Sequence, residues 1–181
     1  MSDVSALILA GGKATRFGGI AKHELVIDGR TIFERQRAVL EPWVAEVVVS
    51  APVDVPGFRT VRDTAGEGPL AGIAAGLAAC AQPWLLVVAG DMPFITAAVV
   101  GALIAARGPE LDAVGLLVGA RPEPLCCLLH VRCLAAVERR LAAHRYKASG
   151  LLTDEGLAVR WLTDADPAAL RNLNSPGDIP D

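Results

Sequence analysis

Val4–Ala10 is a run of uncharged, mostly apolar residues that stops at Gly11-Gly12. A run too short for a helix and closed by glycine reads as a strand covered on both faces. Trp84–Ala89 repeats the pattern and stops at Gly90-Asp91. Strands of this kind belong to parallel sheets, whose crossovers place helices over both faces. The segments between them agree. Thr31-Ile-Phe-Glu34 is a capping box that opens a helix reaching about Leu40, with Ile32, Gln36, Val39 and Leu40 at helical spacing. Val47–Ser50 and Arg59–Val61 read as short strands, and Leu70–Ala81 as a helix of small residues. A helix over Ala97–Ala106 is capped by Thr96. Asp112–Val118 and Leu125–Val131 read as strands, Arg132–Ala143 as a helix, Ala158–Trp161 as a late strand, and Asp166-Pro167 as a brief helical turn. Without repeats, charge blocks or a linker, the pattern predicts one α/β domain over residues 1–181. Its mainly parallel sheet lies between helices on both faces.

Composition narrows the function. At 52% hydrophobic and 20% charged residues the chain is far from a disordered one. Its formal charge of −3 supplies no basic face for nucleic acid, and 4% aromatics offer few platforms for stacked bases. No nucleic-acid partner is expected. Pro69–Gly90 has no charged residue over a length that could span a bilayer, but Gln82-Pro83 divides it into a helix and a strand. Asp3 stands where a signal peptide carries base. The expectation is a cytoplasmic protein with no membrane association. Cys80, Cys126, Cys127 and Cys133 form no C-x-x-C pair, and His23, His130 and His144 do not bracket them at zinc-ligand spacing. They read as buried small hydrophobes, with Cys126 and Cys127 pointing to opposite faces of a strand.

In sheets of this class ligands bind beyond the carboxyl ends of the strands, so the loops leaving them come first. After the first strand runs Leu9-Ala10-Gly11-Gly12, followed by Arg16, Gly18, Gly19 and Lys22. Glycines there let backbone N–H groups approach an anion, with Arg16 as a fork and Lys22 as a point charge. The same composition also suits a loop that merely turns the chain. It is neither a Walker A loop nor a G-x-G-x-x-G fingerprint. Asp91, ejected from the end of an apolar strand, could hold a hard cation such as Mg²⁺ beside substrate phosphates, or serve as a turn residue before Pro93. Asp63 leads into a glycine-rich helix start at Gly68–Gly72, where a flat ring could lie on backbone, or where glycine only loosens a long connection. Asn172 and Asn174 alternate before Ser175-Pro176, offering amides to a heterocycle or stabilising a local turn.

Taken together, LILAGGKATRFGGIAK, EGPLAGI, AGDMPF, RPEPLCCLLH and NLNSPGD, in this order from Leu7 to Asp178, resemble the molybdenum cofactor guanylyltransferases, the MobA-like nucleotidyltransferases. The first motif marks the wider superfamily, and the later ones the molybdenum branch. The resemblance implies a Rossmann-like three-layer sandwich that transfers GMP from GTP to molybdenum-molybdopterin and releases pyrophosphate. It implies that Leu9, Ala10, Gly11 and Gly12 contact the nucleotide, Lys22 its phosphates and Asp63 the GTP. Asp91 would hold nucleotide and Mg²⁺, and Asn172 and Asn174 match the pterin side. Arg16, Lys22 and Asp91 would then be catalytic by stabilising charge and aligning groups, with no protein nucleophile. Molybdoenzymes or cofactor-delivery proteins are the protein partners so implied. The sequence departs from the family at Phe17, where methionine is usual, and at Ala21 and Gly177, where acids are usual. Ser50 stands where some members carry a nucleotide-contacting asparagine. Related readings are a transferase using CTP or a sugar-phosphate acceptor, and a non-catalytic nucleotide-binding regulatory module.

Overall fold

The structure, a computed structural model, describes residues 2–10, 25–63 and 68–173. In chain order these form β1 (Val4–Leu9), β2 (Val26–Ile27), β3 (Arg30–Thr31), α1 (Ile32–Leu40), β4 (Glu46–Ser50), β5 (Arg59–Val61), α2 (Pro69–Ala79) and β6 (Trp84–Ala89). There follow α3 (Ala97–Ala105), β7 (Ala113–Val118), β8 (Arg121–His130), α4 (Leu134–Ala142), α5 (Ser149–Asp154) and β9 (Val159–Leu162). Seven strands make one sheet in the order β5-β4-β1-β6-β8-β7-β9. β5, β4, β1 and β6 run parallel, β8 is antiparallel to both its neighbours, and β9 is parallel to β7. This is the mainly parallel, helix-covered sheet expected from the sequence.

The two faces follow from strand alternation. Ala6, Ile8, Leu86, Val88, Cys126 and Leu128 pack with α1 and α3 on one side. Leu7, Leu9, Leu85, Val87, Cys127 and Leu129 pack with α2, α4 and α5 on the other. Cys126 and Cys127 therefore enter opposite cores, as their adjacency required. Helix α1 starts on the expected capping box: Glu34 N donates to Thr31 Oγ1 (3.2 Å) and Thr31 N to Glu34 Oε2 (2.8 Å). Thr96 caps α3 by accepting from Val99 N at 3.4 Å.

Some boundaries differ from the sequence reading, each for a physical reason. β8 begins at Arg121 rather than Leu125 and carries Pro122 and Pro124. Its pairing with β6 ends at Val88↔Cys126, so the proline segment pairs with β7 alone, in effect an edge where prolines are tolerated. The helix predicted from Arg132 opens instead as a 3₁₀ turn, Val131–Cys133, before α4. The hairpin β2–β3 turns at Asp28-Gly29, both with positive φ (50° and 75°), as a tight two-residue hairpin requires. Helix α5 forms around a buried cation: Arg140 donates to Gly150 O (2.9 Å), Lys147 O (3.1 Å) and Glu155 Oε1 (3.1 Å).

Helix α2 lies unusually close to the sheet. A Cβ on Gly76 would fall 2.5 Å from Leu7 Cδ2, and Leu7 is wholly buried. Gly76→Ala should therefore destabilise the protein by about 1–3 kcal/mol, measured by urea denaturation. Burial pushes the Cys133 thiol up to about 12 and those of Cys126 and Cys127 well above the ordinary range. In the native protein these three should resist a thiol reagent at neutral pH, leaving half-buried Cys80 to react; all four should react after denaturation.

Candidate active site

The carboxyl ends of β5, β4, β1 and β6 share one edge of the sheet. Asp63 follows β5, Ser50 ends β4, Leu9 and Ala10 end β1, and Asp91 follows β6. Because β8 is antiparallel to β6, its beginning comes to the same edge. Five of the residues singled out in the sequence, Leu9, Ala10, Asp63, Asp91 and Asn172, fall among the described residues. Gly11, Gly12, Arg16, Lys22 and Asn174 lie outside them.

The turn that carries Asp91 is held from several directions. Gly90 N donates to Leu9 O (2.9 Å), and Met92 N closes the turn on Ala89 O (3.2 Å). From α1, Gln36 Nε2 donates to Ala89 O (2.7 Å) and Met92 O (3.1 Å). From the far end of the chain, Leu173 N donates to Asp91 O at 2.8 Å. Arg171 stacks over the Phe94 ring, 4.8 Å from its centroid, and fixes the same two segments together. Gly90 is required by crowding: a Cβ there would lie 2.7 Å from Leu9 O and 3.0 Å from Phe33 Cε1. The structure thus brings Leu9, Asp91 and Asn172 together. Asn172 Oδ1 is buried and has no hydrogen-bond partner among the described residues.

Asp63 belongs to the same edge but not the same point. Three strand spacings separate β5 from β6, about 14 Å, so the two acids leave the sheet well apart. They can touch the two ends of one extended ligand. Between them Ser50 is nearly buried at the end of β4, and Ala10 N donates to its carbonyl (2.9 Å). A Cβ on Gly72 would meet Ser50 Oγ at 2.6 Å and Leu9 Cδ2 at 2.9 Å, which is why α2 can lie against these two strand ends. The loop after α4 reaches the start of α2, where a Cβ on Gly68 would lie 3.9 Å from Tyr146 O.

Glu123 is a residue the sequence reading missed as a site group. Just past the last Val88↔Cys126 pair, the start of β8 brings it near enough to Asp91 for the two charges to interact. Burial first, and then the negative charge of Asp91, push its carboxyl above the ordinary glutamate value, against a hydrogen bond from Leu125 N (3.2 Å). The available signal was an acid between two prolines, just outside the strand read from Leu125. Two neighbouring carboxylates suit a hard divalent ion, for which oxygen donors of this kind are the usual ligands. No group of three or more potential metal ligands occurs among the described residues. No helix among them is long and apolar enough to cross a membrane.

Comparison with known proteins agrees with this architecture. Residues 6–160 match the MobA-like NTP transferase domain. A molybdenum cofactor guanylyltransferase of Desulfosudis oleivorans is 34% identical over 191 residues, covering 99% of this chain and 94% of that protein. One from Serratia proteamaculans is 32% identical over 183 residues, covering 97% and 92%. Among solved structures, molybdopterin-guanine dinucleotide biosynthesis protein A from Archaeoglobus fulgidus superposes with a TM-score of 0.77 at 23% identity, covering 97% of this chain and 94% of that one. The 2-C-methyl-D-erythritol 4-phosphate cytidylyltransferase of Thermus thermophilus reaches 0.72 at 18% identity, covering 96% and 94%, and so shares the fold. With the domain matched over most of its length and relatives above 30% identity end to end, the chain belongs to the MobA-like NTP transferase family.

Proposed function

We propose that this protein transfers GMP from GTP to molybdopterin, forming the guanine dinucleotide form of the molybdenum cofactor and releasing pyrophosphate. The observation that carries this reading is the clasped turn at Asp91. Its backbone is bonded on one side to Leu9, at the head of the glycine loop, and on the other to Leu173, beside Asn172. A nucleotide on the first and an acceptor on the second would meet at one carboxylate. The choice of the guanine nucleotide is supported by the names carried by relatives that are 31–34% identical across 97–99% of this chain.

In the reaction an oxygen of the acceptor's terminal phosphate forms a bond to the α-phosphorus of GTP. The bond from that phosphorus to the β-phosphate bridging oxygen breaks, and its electrons leave with pyrophosphate. No side-chain nucleophile takes part, so the protein's contribution is alignment and charge stabilisation. Leu9, Ala10, Gly11 and Gly12 would offer backbone to the nucleotide, with Arg16 and Lys22 against the triphosphate. Asp63, about 14 Å along the edge, suits the nucleoside end. Asn172 and Asn174 would orient the pterin. Asp91, with Glu123 beside it, would hold a divalent ion, Mg²⁺ being the one expected. When bound there, the ion neutralises phosphate charge and acts as a Lewis acid. The expected setting is the cytoplasm, with molybdoenzymes or cofactor-delivery proteins receiving the product.

Pyrophosphate release with each nucleoside triphosphate, with and without molybdopterin and Mg²⁺, tests the reading. Release that needs GTP and the pterin together is expected. Release with CTP instead would reverse the base, and GTP binding without any release would make the protein a regulatory module. Asp91→Ala should abolish turnover while leaving the thermal unfolding transition cooperative; wild-type turnover would remove the metal assignment. Lys22→Ala should raise KM for GTP by about tenfold, as expected for one lost charge-assisted phosphate contact. Unchanged GTP kinetics would exclude Lys22 from the site.

A further inference from the structure

We infer that Gln36 is the positioning residue that aims Asp91 at the divalent ion, an inference that rests on the assignment of that ion to Asp91. Gln36 sits on the inner face of α1 with Ile32, Phe33 and Leu40, and has no exposed surface. A polar side chain in such company needs a reason. Its Nε2 bridges Ala89 O and Met92 O, the two carbonyls that bracket Gly90-Asp91. Both partners are acceptors, so the nitrogen must be the atom facing them. That leaves Oε1 buried without a hydrogen-bond partner among the described residues. An apolar side chain of the same length would fill the space without stranding an acceptor. What it could not do is tie the two ends of the turn.

The sheet cannot do this either. Pairing of β6 with β8 ends at Val88, and pairing with β1 ends at Ala89. Past that point the chain keeps Gly90 N on Leu9 O, the turn bond from Met92 N and the single bond from Leu173 N. These hold the path of the backbone. The Gln36 amide adds a crosslink between the 89–90 and 92–93 peptides, one peptide beyond Asp91 on each side, and so fixes the ends of the short span from which its Cα–Cβ bond projects. The amide never reaches substrate or ion; it acts through the carboxylate.

Gln36→Met keeps length and removes both donors, and Gln36→Glu keeps shape and likewise offers no N–H. Each is compared with wild type and with Asp91→Asn by thermal unfolding, by kcat and KM for GTP, and by Mn²⁺ titration with and without GTP, followed by electron paramagnetic resonance. Both Gln36 variants should unfold cooperatively, bind Mn²⁺ about 10–100-fold more weakly and lose kcat in step, with KM for GTP within about twofold of wild type. Wild-type Mn²⁺ affinity and kcat in either folded variant would overturn the inference. So would loss of the fold in both, which would make the amide a requirement of folding rather than of aim. If Asp91→Asn itself binds Mn²⁺ as wild type does, the ion assignment fails. If Asp91→Asn loses Mn²⁺ while Gln36→Met keeps it, only the role of Gln36 fails.

Discussion

The hydrogen bond from Gly90 N to Leu9 O, 2.9 Å long, joins the ends of the two central strands at the point where both leave the sheet. It exists because position 90 carries no side chain: any Cβ would press on the carbonyl that accepts the bond and on the Phe33 ring. β1 and β6 are buried along their whole length, so their ends are placed by the core and not by the loops. Leu9 and Asp91 inherit that rigidity. A candidate site built on strand ends can be held more closely than one built on loops alone.

Around this joint the elements divide the work. α1 lies on one face and sends Gln36 under the turn. α2 lies on the other and, through Gly72 and Gly76, comes close enough to touch Leu9, Ser50 and Leu7. The segment ending at Leu173 closes over the turn from outside, pinned by the Arg171–Phe94 contact. The antiparallel entry of β8 adds Glu123. Carboxylates are thus concentrated at one strand end in a protein whose overall charge is only slightly negative. Neutralising them together with an anionic nucleotide calls for local cations rather than a general field.

Much of this was legible beforehand, and particular residues show why. Val4–Leu9 and Trp84–Ala89 are doubly buried strands, and doubly buried strands are uncharged runs. Thr31 and Glu34 name a helix start because the capping box is completed within four residues. The Asp28-Gly29 hairpin carried a local signal too, the dipeptide itself, but its strands of two residues show no alternation to confirm it. Helix α5 had none: six residues including Gly150 form a helix because Arg140, from α4, binds the carbonyls of Lys147 and Gly150. The strand read from Leu125 begins earlier, at Arg121, and holds Pro122 and Pro124 because one side of that segment is unpaired.

The sequence by itself determined the main alternation of strands and helices, the doubly covered sheet and the identity of Asp63, Asp91 and Asn172 as candidates. Each of those rests on local pattern: apolar runs, caps, acids just past a strand, and the alternating asparagines of NLNSPGD. Only the tertiary structure decided which candidates meet. Asn172 joins Asp91 through a bond between residues 91 and 173, Glu123 arrives because β8 runs backwards, and Gln36 reaches residues more than fifty positions away. Such contacts depend on strand direction and helix packing, which are set by burial of the whole core and leave no spacing in the chain to read.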